Sequence, residues 1–378
     1  MTIGILKENG DEQRVALLPE TVKQLKGLQV AEILVEQGAG DAAFASDEDY
    51  RQAGATIAPA SQIMQHADLL IRITPFTAAE LPQINPKTVL LSVFQPLSNI
   101  EATNALCRQG FTTFSLDLMP RTTRAQSMDI LSSMATVAGY KAVLMAAMYL
   151  PKFFPMFMTA AGTITPAKVL VLGAGVAGLQ AISTARRLGA VVEAFDVRTA
   201  VKEEVQSLGA KFVEVKGAAE DAKAGGYAVE QTEEYKQRQQ QLIQEHAIKS
   251  DVIIATAQIP GKRAPLLIAE ETIAQMKPGS VIIDLAASTG GNCALTQNNQ
   301  TIVCNGVTII GQSNIPATVP ADASKMFGKN VLNFLKLLIA KDGSLNLNFS
   351  DDIVQGSCLT HNGQVVNERV KQLPGITA

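Results

Sequence analysis

Apolar residues along the chain fall into short unbroken runs, separated by longer stretches in which they recur every third or fourth position. The runs Thr2 to Leu6, Ile33 to Val35, Leu69 to Ile73, Val89 to Phe94 and Phe114 to Leu118 have the length of strands, and their near-continuous apolar character suits strands buried on both faces. Between them lie helical or turn-rich segments. Pro19 to Leu28 is the clearest helix, with Val22, Leu25 and Leu28 at helical spacing. Such alternation predicts an α/β unit with a largely parallel sheet. The alternation resumes later, with strands expected at Val169 to Leu172, Val191 to Phe195, Val252 to Ala255, Val281 to Leu285 and Val307 to Ile310. A long helix, roughly Ser127 to Leu150, joins the two units. Asn314 to Asp322 reads as a turn-rich exit, and a helix over Phe327 to Ile339 returns the chain to the first unit. The prediction is two α/β domains with parallel sheets, separated by a cleft: a discontinuous first domain of residues 1–134 and 320–378, and a second of residues 135–319. Val229 to Lys249, rich in Gln and Glu, reads as a solvated amphipathic helix, and the tail from Lys341 carries few periodic signals.

The chemistry is densest at the start of the second domain. Val169-Leu170-Val171-Leu172 runs directly into Gly173-Ala174-Gly175-Val176-Ala177-Gly178, a helical pattern follows to Leu188, and the next strand ends at Asp196. A strand, GxGxxG, a helix, a second strand and an acid about 20 residues on make up the Rossmann dinucleotide-binding arrangement. Gly173 would make the tight turn, Gly175 would let the backbone approach a pyrophosphate, and Gly178 would let helix and strand pack closely. The helix N-terminus offers unpaired N–H groups and partial positive charge to the phosphates. Asp196 would accept hydrogen bonds from an adenosine ribose and repel a 2′-phosphate, favouring NAD(H) over NADP(H); Arg198 nearby could accommodate that phosphate. Val197 between them, and Thr256, Ala257 and Gln258 just past the strand ending at Ala255, complete the candidate cofactor-binding set. Lys223-Ala224-Gly225-Gly226-Tyr227-Ala228 is either a plain linker or a lid whose Tyr227 covers the nucleotide.

Composition narrows the class. The 378 residues suffice for two domains with real cores, and 47% hydrophobic with 18% charged residues describe an ordinary soluble protein. A net charge of −3 gives no support to a nucleic-acid surface. The four cysteines, Cys107, Cys293, Cys304 and Cys358, form no CxxC and no metal-like cluster with His, and read as reduced cytosolic thiols. MTIGILKENG lacks the pattern of a signal peptide. Tyr140 to Gly162 is strongly apolar but is interrupted by Lys141, Pro151, Lys152 and Pro155; it reads as a buried helix ending near Leu150, too short to span a bilayer.

A second constellation lies in PRTTRAQSMDILSSMATVAGY, residues 120–140. Arg121, Gln126, Asp129 and Ser132 could line one surface, since Gln126, Asp129 and Ser132 follow one another at intervals of three. A nicotinamide carboxamide presents an acceptor oxygen and a donor NH2; Arg121 or Gln126 could donate to the first, and Asp129 could accept from the second. The structural alternative is a capping box, Thr123-x-x-Gln126, with Asp129 in the first turn of a helix.

RAQSMDILSS, AGYKAV, FPMFMTAAGT, GAGVAGLQAI, FDVR, AGGYA, IPGKRAP, MKPGSVIIDLA and GGNC occur in this order. On these motifs nearly the whole chain resembles the NAD(H)-binding domain of the proton-translocating nicotinamide nucleotide transhydrogenases, within a wider family that includes alanine dehydrogenase. The resemblance implies direct hydride transfer between NADH held here and NADP(H) on a partner subunit, coupled to proton movement by membrane-embedded subunits. It also implies a homodimer, bound on the cytoplasmic side of the inner membrane through its partners. The family's nicotinamide-side loop maps onto Arg121, Gln126, Asp129 and Ser132, its mobile-loop tyrosine onto Tyr227 and its ribose acid onto Asp196. The chain departs from many relatives just before GGNC, where Ser288-Thr289 stand in place of an acidic residue.

Two other readings compete: an amino-acid dehydrogenase of the alanine dehydrogenase type, and a non-catalytic NAD sensor. Reductive amination requires a general acid/base and cations for the substrate carboxylate. The three histidines, His66, His246 and His361, read as surface residues. Where alanine dehydrogenases carry His this chain has Val93-Phe94-Gln95-Pro96, and where they carry Asp it has Ser288. Arg14 and Arg72 remain as carboxylate binders of a relic pocket, or as partners in salt bridges. Hydride transfer between two nicotinamides needs no such base.

Overall fold

The apolar runs become strands in the computed structural model, which describes residues 1–215 and 232–376. Two units result, Met1–Met134 with Pro316–Ala378, and Ala135–Ile315. The first contains β1 (Thr2–Ile5), β2 (Glu32–Glu36), β3 (Thr56–Ala58), β4 (Leu69–Ile71), β5 (Val89–Ser92) and β6 (Thr112–Ser115), all parallel. The second contains a short hairpin, β7 (Phe157–Thr159) and β8 (Gly162–Ile164). Its main sheet is built from β9 (Lys168–Leu172), β10 (Val191–Phe195), β11 (Lys211–Val213), β12 (Val252–Ala255), β13 (Val281–Asp284), β14 (Thr301–Cys304) and β15 (Val307–Ile310). The C-terminal segment returns β16 (Cys358–His361) and β17 (Gln364–Val365) to the first sheet, β16 antiparallel to β6.

The sheet orders are β17-β16-β6-β5-β4-β1-β2-β3 and β11-β10-β9-β12-β13-β15-β14. Strand order therefore reverses between β1 and β4 in the first unit, and between β9 and β12 in the second. In open parallel sheets such reversals leave a crevice beyond the carboxyl ends of the strands, where ligands bind. The expected α/β class with parallel-rich sheets is the one observed. Every residue of β4, β5, β12 and β13 is buried, which is why these strands carry no polar alternation.

Some elements differ from the sequence reading. Leu116–Leu118 is a 3-10 turn rather than the end of a strand, and the Asp117 carboxylate at its centre accepts from Ser115 Oγ at 2.5 Å. The C-terminal helix spans Pro320–Leu338 and so begins inside the stretch read as a turn-rich exit. Proline occupies its first turn, where the missing N–H would have had no helical partner. The long helix spans Ile130–Tyr149 and stops before Pro151, but it is not wholly buried: Ala142, Val143 and Ala146 sit in the core while Tyr140, Met148 and Tyr149 are exposed. Its first three turns precede the apolar stretch weighed in the sequence. At 20 residues and a mean hydropathy of 1.4 over its most apolar window, it is long and apolar enough to cross a membrane, contrary to that reading. Its buried small-residue stripe is that of a helix packed on a sheet. The Gln/Glu-rich helix is Glu233–Ala247, capped by Thr232, whose hydroxyl accepts from the Tyr235 N–H at 3.3 Å; Tyr235, Ile243 and Ala247 form its buried face.

Candidate functional site

Register pairs Leu172 with Ala255, so β9 and β12 end side by side, and Gly173 and Thr256 leave the sheet together at the reversal. Gly173 has φ 97°, and a Cβ there would lie 2.6 Å from Thr256 Oγ1. Gly178 packs so closely that a Cβ would come 1.9 Å from the Gly173 carbonyl oxygen. A Cβ on Gly175 would meet nothing within 4 Å, so this glycine faces open space, as close backbone approach by a phosphate requires. The helix Val176–Arg187 starts on Gly175, and its first-turn N–H groups have no intrahelical partners. Thr256 Oγ1 donates to the carbonyls of Gly173 (3.0 Å) and Leu172 (3.3 Å), tying the β12 end to the glycine loop. Val176 is exposed, Ala177 half-buried and Ala174 buried.

Asp196 stands at the end of β10, 8% exposed. Its Oδ2 accepts from the Ala174 N–H (2.7 Å) and from Arg198 Nη2 (2.7 Å), and its Oδ1 accepts from the Arg198 N–H and Nε, both at 2.9 Å. A carboxylate offers about four acceptor positions, and here all are taken. A ribose hydroxyl would reach Asp196 only by displacing Arg198, and the Arg198 guanidinium is neutralised by Asp196 rather than held ready for a 2′-phosphate. Val197 is half-buried between them. Ala257 donates its N–H to Asn292 Oδ1 at 3.0 Å, and exposed Gln258 donates from Nε2 to the Leu285 carbonyl at 2.9 Å. Tyr227 lies outside the described residues. The sequence reading missed Asn292, which it quoted only as a letter of GGNC.

In the first unit, Thr123–Met128 forms a 3-10 turn and Asp129 caps the helix that follows. Asp129 Oδ1 accepts from the Ser132 N–H (3.0 Å) and Oδ2 from Ser132 Oγ (2.6 Å). The capping box read from Thr123 and Gln126 does not form: Thr122, not Thr123, precedes the turn, and it makes no side-chain cap. Arg121 and Gln126 are exposed; Asp129 and Ser132 are half-buried. Arg124, which the sequence reading passed over, is fastened to Asp351 by two bonds of 2.8 and 2.6 Å and also reaches Asp352. Asn330 and Asn333 of the C-terminal helix donate to the Ser127 carbonyl at 2.9 and 3.1 Å. The returning segment thus braces this loop from two sides.

The chain segments leaving β1 and β4 are bridged by their own side chains. Glu8 is buried, with oxygens accepting from the Ile73 N–H (2.6 Å), the Thr74 N–H (2.8 Å) and Thr74 Oγ1 (2.8 Å). Burial pushes its carboxyl from the usual 4.5 to about 7, against the pull of those donors. Arg72, 1% exposed, makes a bidentate pair with Glu80 (2.7 and 2.8 Å), and its hydrogen bonds hold the Glu80 carboxyl down to about 2. Arg14 pairs with Glu12 at 2.6 Å. The two arginines proposed for a substrate carboxylate are therefore already engaged in salt bridges. Gln95, three residues past the end of β5, is exposed with φ 52°, and Ser288 is exposed. His66 Nδ1 bonds the Gln62 carbonyl, His246 Nδ1 pairs with Glu193 at 2.6 Å, and His361 contacts Thr112 and Phe349. Burial raises the thiols of Cys293 and Cys358 to about 11 and about 12, leaving them protonated and unreactive. No group of His, Cys, Asp and Glu that could hold a metal occurs among the described residues.

Known proteins share this architecture. A family model described as "Alanine dehydrogenase/PNT, N-terminal domain" matches residues 4–138, and one described as "Alanine dehydrogenase/PNT, C-terminal domain" matches residues 142–368. The first part of the NAD(P) transhydrogenase alpha subunit of Rhodospirillum rubrum is 48% identical over 377 residues, spanning 97% of this chain and 98% of its own length. The crystal structure of transhydrogenase from Sinorhizobium meliloti superposes with a TM-score of 0.88 at 43% identity, over 97% of this chain and 100% of that one. An L-alanine dehydrogenase structure shares the fold, with a TM-score of 0.83 at 24% identity, over 98% of each chain.

Proposed function

The chain belongs to the alanine dehydrogenase/PNT family, and we propose that it is the NAD(H)-binding subunit of a proton-translocating NAD(P)+ transhydrogenase. The observation that carries the reading is the glycine loop at the β9/β12 reversal, with Gly175 open and Thr256 bracing the turn. In one direction NADH on this chain gives its hydride to NADP+ on the beta subunit, leaving NAD+ and NADPH; in the other, NADPH gives its hydride to NAD+ held here. The chain's own residues do the rest. Gly173–Gly178 and the helix N-terminus receive the pyrophosphate, and the adenosine ribose lies at Asp196, Val197 and Arg198, its hydroxyl taking an Asp196 position from the Arg198 guanidinium. Thr256, Ala257 and Gln258 form a wall. Arg121, Gln126, Asp129 and Ser132 orient the nicotinamide, the exposed Arg121 and Gln126 as donors. Membrane-embedded subunits would couple the transfer to proton movement and hold this subunit peripherally on the cytoplasmic side.

The amino-acid dehydrogenase alternative is weakened by the salt bridges of Arg14 and Arg72, by the structural partners of all three histidines, and by Val93-Phe94-Gln95-Pro96 and Ser288 standing where a His and an Asp are expected. A homodimer is supported by the hairpin β7–β8. All six of its strand residues are exposed, and Phe157 and Met158 stand beside exposed Phe153 and Met156. A lone two-stranded hairpin is marginal in water, so this apolar face fits a second copy of the chain. The reading is tested by incubating the purified chain with NADH, pyruvate and ammonia, then with NADH and an NADP(H)-binding partner carrying an NADP+ analogue. Only the second mixture should oxidise NADH; turnover in the first would restore the dehydrogenase reading.

A further inference from the structure

We infer that Asn292, fixed by the buried Asp284, is the positioning residue that sets the Thr256–Ala257 wall of the nucleotide site. Asp284 ends β13 and is fully buried. Its Oδ2 accepts from the N–H of Asn292 (2.7 Å), the N–H of Cys293 (3.0 Å) and Thr296 Oγ1 (2.6 Å); its Oδ1 accepts from the Ala286 N–H (3.0 Å). Four charge-assisted bonds of this kind fold the GGNC turn around one carboxylate. Gly291 is needed there: it has φ 78°, and a Cβ would come within 2.8 Å of Asp284 Oδ2.

The side chain so placed is Asn292, itself completely buried. Its Oδ1 accepts the Ala257 N–H at 3.0 Å, while its Nδ2 donates to the carbonyls of Ala257 (2.8 Å) and Pro265 (2.9 Å). The amide therefore grips both polar groups of one backbone residue, as a neighbouring strand would, at the point where β12 has ended and no strand continues. Ala257 follows Thr256, whose hydroxyl holds the Gly173 carbonyl. Hydrogen bonds link Asp284 to Asn292 and Asn292 to Ala257, and through the peptide bond to Thr256 the path continues to the first turn of the glycine loop. An amide supplies the acceptor oxygen and the two N–H donors this grip uses, where a hydroxyl has a single proton to donate.

The inference rests on the nucleotide-site reading above, and its test separates the two. NADH affinity is measured by fluorescence for the full chain and for Asn292→Ala, Asn292→Asp and Ile282→Val, well below each melting temperature. Ile282 is a fully buried β13 residue and serves as a stability control. Aspartate keeps the size and the acceptor of Asn292 but sets an oxygen against two carbonyls. Both Asn292 variants should bind NADH at least about tenfold more weakly, equivalent to about 1.4 kcal/mol. The Ala257 amide should exchange with solvent faster in Asn292→Ala, and Ile282→Val should bind as the wild type does. Unchanged affinity in the Asn292 variants, or an equal loss in Ile282→Val, overturns the positioning role while leaving the nucleotide reading intact. Failure of the wild-type chain to bind NADH overturns both.

Discussion

Asp196 and Arg198 show what a residue-level reading gains from coordinates. Sequence spacing places the acid at the end of the second strand, but not the guanidinium that takes two of its acceptor positions through Nε and Nη2. An acid and a base two residues apart can serve two ligands or each other, and spacing does not decide which. Here they serve each other, which keeps Arg198 from attracting a 2′-phosphate. Asp196→Asn should weaken that pair, and the ratio of NADPH to NADH dissociation constants should fall by about tenfold; an unchanged ratio in fluorescence titrations would refute the assignment. Glu8 is a second case, a carboxyl that composition alone would place at the surface. Its folded value near 7 lies above the ordinary 4.5, so the stability it contributes is complete below about 4.5 and is lost as pH rises through about 7. Glu8→Gln does not titrate. The melting temperature of the variant minus that of the wild type should therefore rise from pH 5 to pH 8, with a free-energy change on the order of 3 kcal/mol at most. A flat difference would mean Glu8 stays ionised throughout.

At the scale of elements, the strands that were legible are those buried on both faces, such as β4, β5, β12 and β13. The missed ones lie at sheet edges (β3, β11 and β14), in the tail (β16 and β17) or in the separate hairpin (β7 and β8), and β14 alternates exposed with half-buried residues, so its apolar signal is diluted. The turn holding Arg121 to Ser132 was legible as a constellation but not as a shape. Its helix is capped by Asp129, and its bracing by Arg124 with Asp351 and Asp352, and by Asn330 and Asn333 with Ser127, joins residues some two hundred positions apart. No local pattern encodes such contacts. Because Gln126 forms no capping box, shortening it should affect chemistry and not folding. Gln126→Asn should slow single-turnover hydride transfer to a partner-bound acceptor at least about tenfold, with NADH affinity reduced only a few-fold and the melting temperature unchanged. A lowered melting temperature with an unchanged transfer rate would assign Gln126 to structure alone.

For the whole molecule, two α/β units of one plan have taken different courses. The reversal between β9 and β12 is open at Gly175, whereas that between β1 and β4 is bridged by Glu8 and flanked by the Arg72–Glu80 pair. This asymmetry was only half legible, because GxGxxG announces an open site while nothing local announces a bridged one. The hairpin β7–β8 points to assembly. Met158, 74% exposed, should lie at the subunit contact, and Met158→Asp should shift sedimentation from dimer to monomer; a wild-type chain that sediments as a monomer would contradict this. The central claim is that hydride passes directly between NADH on this chain and NADP+ on a partner, with no protein base and no exchange with water. The most direct test is to mix the chain with its NADP(H)-binding partner, supply NADH doubly deuterated at C4 together with NADP+ in ordinary water, and analyse the product by mass spectrometry. The account predicts that the NADPH formed carries one deuterium and that none forms when either protein is omitted. NADPH carrying solvent hydrogen, or no NADPH from a chain that binds NADH in the presence of an active partner, would contradict it.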